Sequence, residues 1–323
     1  MPLGFWGKLE KPIFVLAPMA DVTDVAFRRI IVEVAKPSVL WTEFVSADGL
    51  ALAPEVGKKK LLKTLEYSET ERPIVAQFFT SSPEHMKEAA RLARELGFDG
   101  VDINMGCPDR SVEKQGAGAS LMRNVSLAIK LVRAAKEGAG PLPVSVKTRI
   151  GYSRPELESW LPEILKEEVA VVTIHARSRK EMSKVPARWE FVRRAVEIRD
   201  ASGKETLIFG NGDVADIDDA RRKCKEFGCD GVMLGRAIFG NPWLFAEGKI
   251  PTTEEKLRVL IRHTKLFEKL LGRHKNFVVM KKHFKAYVAG FEGAGDLRAR
   301  LMEASNANEV EKIVSDILLS WKK

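Results

Sequence analysis

The chain has 323 residues, is 45% hydrophobic and 30% charged, and holds 24 Gly, 15 Pro and three Cys. That excludes collagen-like, low-complexity and disulfide-scaffold proteins, and suits one large globular domain with a smaller one. Its formal charge is +9, and from Ala246 onward 16 Lys+Arg face 10 Asp+Glu, so +6 of the excess lies in the last quarter.

A basic appendage points to a polyanion, nucleic acid foremost, although solubility alone accounts for a modest excess. The start "MPLGFWGKLEKPIFVLAPMAD" lacks a basic segment followed by a long apolar core. No stretch nears the roughly 18 uninterrupted apolar residues that span a bilayer. The expectation is a cytoplasmic monomer with no membrane partner. Cys107, Cys224 and Cys229 cannot all pair internally, which suits a reducing compartment. Neither Cys224 with Cys229 nor the five His show ligand spacing, so no metal site is expected.

In chain order, β-branched runs recur at "IFVLAPM" (13–19), "VLWTEFV" (39–45), "PIVAQFF" (73–79) and "GVDINMG" (100–106). They continue at "VSVKTRI" (144–150), "AVVTIHAR" (170–177), "TLIFGNG" (206–212) and "GVMLGRA" (231–237). Several are apolar nearly throughout, as strands buried on both faces are. Between them lie amphipathic stretches such as "SPEHMKEAARLAREL" (82–96) and "NVSLAIKLVRAAKEG" (124–138), with Gly97 and Gly138 as helix stops. Eight strands alternating with helices predict an α/β fold, a (β/α)8 TIM barrel over 1–245. A doubly wound sheet is the rival, but the first strand lacks the Gly-rich turn that fold uses. Residues 252–274, 277–291 and 295–323 read as helices with no strand signal. They predict a smaller all-helical domain over 246–323.

A barrel of this kind carries its chemistry at the C-terminal ends of the strands. Those ends hold Pro18-Met19, Glu43, Gln77, Asn104 with Cys107, Lys147 with Arg149, and His175 with Arg177. The last two strands run into Gly210-Asn211-Gly212-Asp213 and Gly235-Arg236. Burying such groups unpaired would cost about 1–3 kcal/mol each, so a polar ligand at the barrel mouth is expected. Glycine-bearing loops after the last two strands suit a phosphate, with Arg236 adding charge. A flavin fits Lys147, His175 and Gln77. A sugar phosphate fits the phosphate loops equally well.

"APMADVTD", "NMGCP", "GAGASLM", "VKTRIGY", "IHARSR", "GNGDV" and "GRAIFGNPWLF" resemble, in that order, the motifs of the tRNA-dihydrouridine synthases. The likeness runs from Pro12 to Phe245 and continues more weakly in "MKKHFKAYVAGF". It implies FMN in the barrel mouth, NADPH as reductant, and reduction of the C5–C6 bond of a uracil in tRNA. Pro18, Met19 and Gln77 would hold the isoalloxazine ring, and Lys147 and His175 its polar edge. Asn211, Gly212 and Asp213, with Gly235 and Arg236, would take the ribityl phosphate. Asn104, Arg149 and Arg177 would lie at the substrate, and Cys107 would be the catalytic acid. A thiol of ordinary pKa, about 8.5, is mostly protonated at neutral pH and can give its proton to C5 once hydride reaches C6.

The helical domain would hold tRNA through Lys281, Lys282, Lys285, Arg298 and Arg300. One departure stands out: between "HARSR" and Trp189 the family's glycine and aromatic residue are missing from "KEMSKVPARW" (180–189). Two other functions remain at this point, a flavin-dependent reductase of a free pyrimidine and a non-catalytic RNA-binding barrel. The basic tail argues against the first, and the intact Cys107, Lys147 and His175 against the second.

Overall fold

The computed structural model describes residues 3–321. Its strands are β1 (Ile13–Leu16), β2 (Leu40–Trp41), β3 (Val45–Ser46), β4 (Ile74–Phe79) and β5 (Gly100–Asn104). They continue with β6 (Val144–Arg149), β7 (Val171–His175), β8 (Leu207–Asn211) and β9 (Gly231–Leu234). All ladders are parallel, in the order β1-β9-β8-β7-β6-β5-β4-β2, with β3 also on β4. A bridge between Val15 and Val39, with the Leu16 N–H donating to the Val39 carbonyl at 3.4 Å, joins the two ends and closes the barrel. All eight expected strands are present, and the second is split into β2 and β3. The split has a local cause: the Gln77 N–H is taken by the Thr42 hydroxyl at 3.2 Å, which interrupts the ladder between β2 and β3.

Alternate residues of these strands point into the barrel. One interior layer is apolar: Val15, Trp41, Val75, Val171, Phe209 and Met233 form a single buried cluster. The short 3-10 turn Gly4–Lys8 inserts Trp6 into it, with ring centroids 5.6 Å from both Trp41 and Phe209. Trp6 is 1% exposed. No feature of the strand pattern announces this plug.

The amphipathic stretches form the expected outer helices. Pro83–Glu95 is capped by Ser82, whose side chain accepts from the His85 N–H at 3.3 Å, with proline in the first turn. Val125–Ala139 ends at Gly140 (φ +60°), not at Gly138. Gly138 lies inside that helix, where an added Cβ would sit 2.0 Å from the Lys87 carbonyl oxygen. Its missing side chain therefore sets a close helix–helix approach, not a stop.

The chain divides into two units. One holds the residues up to Ala20 and Pro37–Gly235; the other holds Asp21–Lys36 and the chain from Arg236 onward. The second unit contains Val25–Ala35, the helix between β1 and β2, with Thr253–Leu271, Lys281–Tyr287, Ala294–Glu303 and Ala307–Ser320. Phe27, Leu260, Phe267, Phe284, Leu301 and Val310 are among its buried apolar residues. Among the described residues no helix is long and apolar enough to cross a membrane.

Candidate active site

The apolar layer gives way to a polar one at the C-terminal rim. Register places Gln77 beside Asp102, Asn104 beside Lys147, Arg149 beside His175, and His175 beside Asn211. Asp102 and Asn104 are two apart on β5, as are Ser145, Lys147 and Arg149 on β6, so each set faces one side of its strand. Gln77, Asn104, Lys147, Arg149, His175 and Asn211 thus collect on one rim. Pro18 and Met19 are half-buried just past β1, and Met19 lies next to Gly235.

A chain of hydrogen bonds links the floor of this layer to the cysteine. Ser145 Oγ donates to one oxygen of Asp102, and Gln77 Nε2 donates to the other at 2.6 Å. Asn104 Nδ2 donates to Gln77 Oε1 at 3.1 Å. Asn104 Oδ1 accepts the backbone N–H groups of Gly106 (3.1 Å) and Cys107 (2.9 Å). The orientation of both amides is therefore fixed by Asp102, whose carboxyl is pushed up to about 6 by burial against these donors. Asp102 and Ser145 anchor this chain of hydrogen bonds, and reading the strand ends did not single them out. The signal was present: Asp102 alternates with Asn104 inside "VDIN".

Cys107 heads the loop past β5 and packs against Phe79, Val112 and Ala117. Burial pushes its thiol pKa up, partly offset by the Asp109 backbone N–H. "GAGAS" is the buttress of this loop: the Ala119 N–H donates to the Cys107 carbonyl at 2.9 Å. Gly118 has φ +60°, and a Cβ there would lie 2.7 Å from that same carbonyl oxygen. Only glycine satisfies both demands.

Lys147 Nζ donates to Asn211 Oδ1 at 3.3 Å, and Asn211 Nδ2 donates to the Met233 carbonyl at 2.7 Å. Burial, with Arg149 nearby, pushes the Lys147 ammonium down to about 8. Arg149 is pushed down to about 10, also chiefly by burial, and stays charged at neutral pH. Its Nε donates to the Gly106 carbonyl at 2.8 Å and its Nη1 to the carbonyls of Met182 (3.1 Å) and Ser178 (3.3 Å). Arg149 thus fastens the peptide before Cys107 to the loop after β7.

Two expected ligand contacts acquire another task here. Arg177 is 2% exposed, and its guanidinium pairs with Asp213, donates to the Val185 carbonyl at 2.6 Å, and meets His175 Nε2 at 3.2 Å. An arginine can only donate, so His175 Nε2 accepts and the ring proton lies on Nδ1. The same Asp213 oxygen also accepts the Ala187 N–H, at 2.8 Å. These groups order residues 177–189 and engage the Asp213 carboxylate within the protein. Trp189 Nε1 donates to the Gly212 carbonyl at 2.8 Å and anchors that turn.

Arg236 opens a 3-10 turn, Arg236–Ile238, in the second unit. In the same unit Lys281 donates to the Met302 carbonyl, Arg298 to the Val288 carbonyl at 2.8 Å, and Arg300 lies 3.8 Å from Asp316. Lys282 and Lys285 are exposed, two of the five basic residues expected to meet a polyanion there.

The sequence model described as "Dihydrouridine synthase (Dus)" matches residues 15–321. A probable tRNA-dihydrouridine synthase of Staphylococcus aureus (strain COL) is 39% identical over 319 residues, covering 98% of this chain and 96% of that protein. A probable tRNA-dihydrouridine synthase 2 of Bacillus subtilis (strain 168) is 40% identical, covering 98% of this chain and 97% of its own length. Histamine dehydrogenase from Rhizobium sp. 4-9 superposes with a TM-score of 0.55 at 14% identity, over 78% of this chain and 48% of that one. Morphinone reductase gives 0.50 at 15%, over 76% and 87%. At these identities the structural likeness concerns the barrel alone. With a family model spanning nearly its whole length and full-length relatives near two-fifths identity, the chain belongs to the dihydrouridine synthase family.

Proposed function

We propose that this protein reduces the C5–C6 double bond of a uridine in tRNA, with FMN in the barrel mouth and NADPH as reductant. The observation that carries the reading is Cys107: a half-buried thiol at the polar rim, its pKa raised and its backbone fixed by Asn104. A raised pKa keeps the proton on sulfur at neutral pH, as a general acid requires.

A flavin suits the donor set. Lys147 carries three N–H donors, and among the described residues its hydrogen bond is the long one to Asn211. Donors therefore remain for the carbonyl edge of a ring. Gln77 and the Pro18-Met19 backbone would line the rest of that ring, and Asn211, Gly212 and Gly235 would receive the phosphate through backbone N–H groups. When bound, FMN supplies the hydride for C6.

The residues of this chain do the rest. Asn104 holds the Cys107 backbone, Arg149 holds the Gly106 carbonyl, and the Cys107 thiol delivers its proton to C5 from the face opposite the flavin. In the helical unit Lys282 and Lys285 would contact tRNA phosphates. A free pyrimidine would need no such contacts. The protein would work as a monomer in the cytoplasm, where tRNA is found.

The test is incubation of the protein with unmodified tRNA, FMN and NADPH, followed by nucleoside mass spectrometry. A uridine heavier by two hydrogens supports the proposal. No gain on several tRNAs, from protein shown to hold flavin, refutes it.

A further inference from the structure

The positive charge of the barrel unit is concentrated in one place. Residues 106–124, 150–156 and 177–189, the loops after β5, β6 and β7, hold nine Lys+Arg against four Asp+Glu. The first 245 residues carry only +3 in all, so outside these 39 residues that stretch is net negative. The excess thus surrounds the Cys107 loop.

Internal pairing occupies the four carboxylates. Glu113 takes two donors from Arg179, Nε at 2.8 Å and Nη2. Glu181 accepts from Arg188 at 2.7 and 2.8 Å, and from the Ser178 N–H. Asp109 accepts from the Ser111 N–H at 2.7 Å, and Glu156 lies 3.3 Å from Arg154. Arg110, Lys114, Lys180 and Lys184 are exposed, and among the described residues none has a carboxylate within ion-pair distance.

The loops bearing these charges are fastened to one another. The Arg179–Glu113 pair ties the loop after β7 to the one after β5. Tyr152, after β6, has the Arg179 guanidinium 5.5 Å and the Arg123 guanidinium 5.0 Å from its ring centroid. Arg149 adds its bonds to Gly106 and Met182. Four uncompensated cations on a braced scaffold match a partner of fixed, repeating negative charge. A small neutral substrate would give them nothing to bind.

We infer that Arg110, Lys114, Lys180 and Lys184 form a phosphate-contacting lip on the barrel, which grips the RNA backbone flanking the uridine presented to Cys107. This rests on the tRNA reading above and adds to it a second contact surface, separate from Lys282 and Lys285. The lip also gives the divergent "KEMSKVPARW" loop a task. It presents charge, Lys180 and Lys184, where the family uses a glycine and an aromatic residue.

The experiment measures tRNA binding to the flavin-loaded protein across a salt series. It compares wild type, Lys114→Glu with Lys184→Glu, and Lys282→Glu with Lys285→Glu. Each lost phosphate contact lowers the slope of log K against log salt by about 0.7–0.9. The rim pair should therefore flatten the slope by roughly 1.5 with flavin absorbance retained. If charge reversal impairs folding, Lys114→Gln with Lys184→Gln should give the same flattening. An unchanged slope in the rim variants, beside a flattened one in the helical pair, overturns the lip and leaves the tRNA reading standing. A wild type whose tRNA binding ignores salt overturns both.

Discussion

Acidification from pH about 7.5 to about 5 is predicted to destabilise the helical unit through two histidines that cannot accept a proton where they lie. His263 and His283 are both 0% exposed, with ring centroids 4.7 Å apart. Phe27 packs on both rings, at 4.8 and 4.9 Å, and Phe239 lies 6.0 Å from His283. Tyr287 reaches His263 Nδ1 at 3.4 Å, while among the described residues His263 Nε2 and both nitrogens of His283 have no hydrogen-bond partner.

Burial holds His263 well below the ordinary imidazole range, with His283 contributing, and holds His283 down to about 3, with Lys282 contributing. The sign follows from linkage. Above pH about 6.5 both rings are neutral in the folded and unfolded chains, and nothing is lost. Below it the unfolded chain takes up protons that the folded chain refuses, so stability falls until the folded pKa values are reached. At pH about 5 His283 alone contributes about 2 kcal/mol of destabilisation, and His263 adds to it in the same direction. That is a large part of the 5–15 kcal/mol typical of a domain.

Urea unfolding followed by circular dichroism across this pH range measures the loss, and His283→Leu should remove about 2 kcal/mol of it. Asp102, pushed up by burial, works in the opposite direction. The difference between variant and wild type is therefore the quantity to compare. Identical pH dependence in the two proteins would refute the reasoning.

Two further predictions concern the barrel rim. Gly118→Ala forces a left-handed residue and a 2.7 Å contact onto the Cys107 carbonyl. It should lower stability by about 1–3 kcal/mol and reduce turnover at unchanged flavin content; wild-type kinetics would refute the buttress. Flavin affinity should fall as pH rises past about 8, where Lys147 loses its proton. Lys147→Met should weaken flavin binding by roughly 10–100-fold, the worth of a charge-assisted hydrogen bond, and flatten that pH profile. A variant that keeps the wild-type profile would remove Lys147 from the flavin site.

The barrel was legible because strands buried on both faces write their positions as apolar runs, and the C-terminal ends of those runs named most of the rim. Pairing across strands was not legible. Asn104 was visible as a strand-end amide, but its place between Gln77 and Cys107 depends on register with β4. The pairing of Arg177 with Asp213, 36 residues on, was hidden for the same reason. Gly138 read as a stop because the backbone that crowds it, at Lys87, belongs to another helix. Averaging hid the local charge: the +3 of the first 245 residues conceals the +5 gathered on three loops. The Trp6 plug left no trace in the strand pattern, since one buried indole in a short turn has no periodicity to betray it.

The most direct test of the central claim is a single turnover with Cys107→Ala. Flavin-loaded variant and wild type are first reduced with NADPH, then mixed with unmodified tRNA, and both flavin reoxidation and dihydrouridine are followed. The account predicts that both proteins accept electrons from NADPH at similar rates, but only wild type forms dihydrouridine promptly, the variant losing about 10²–10⁴-fold in that step. Formation of dihydrouridine by the variant at the wild-type rate would contradict it, and the proton for C5 would have to come from another group.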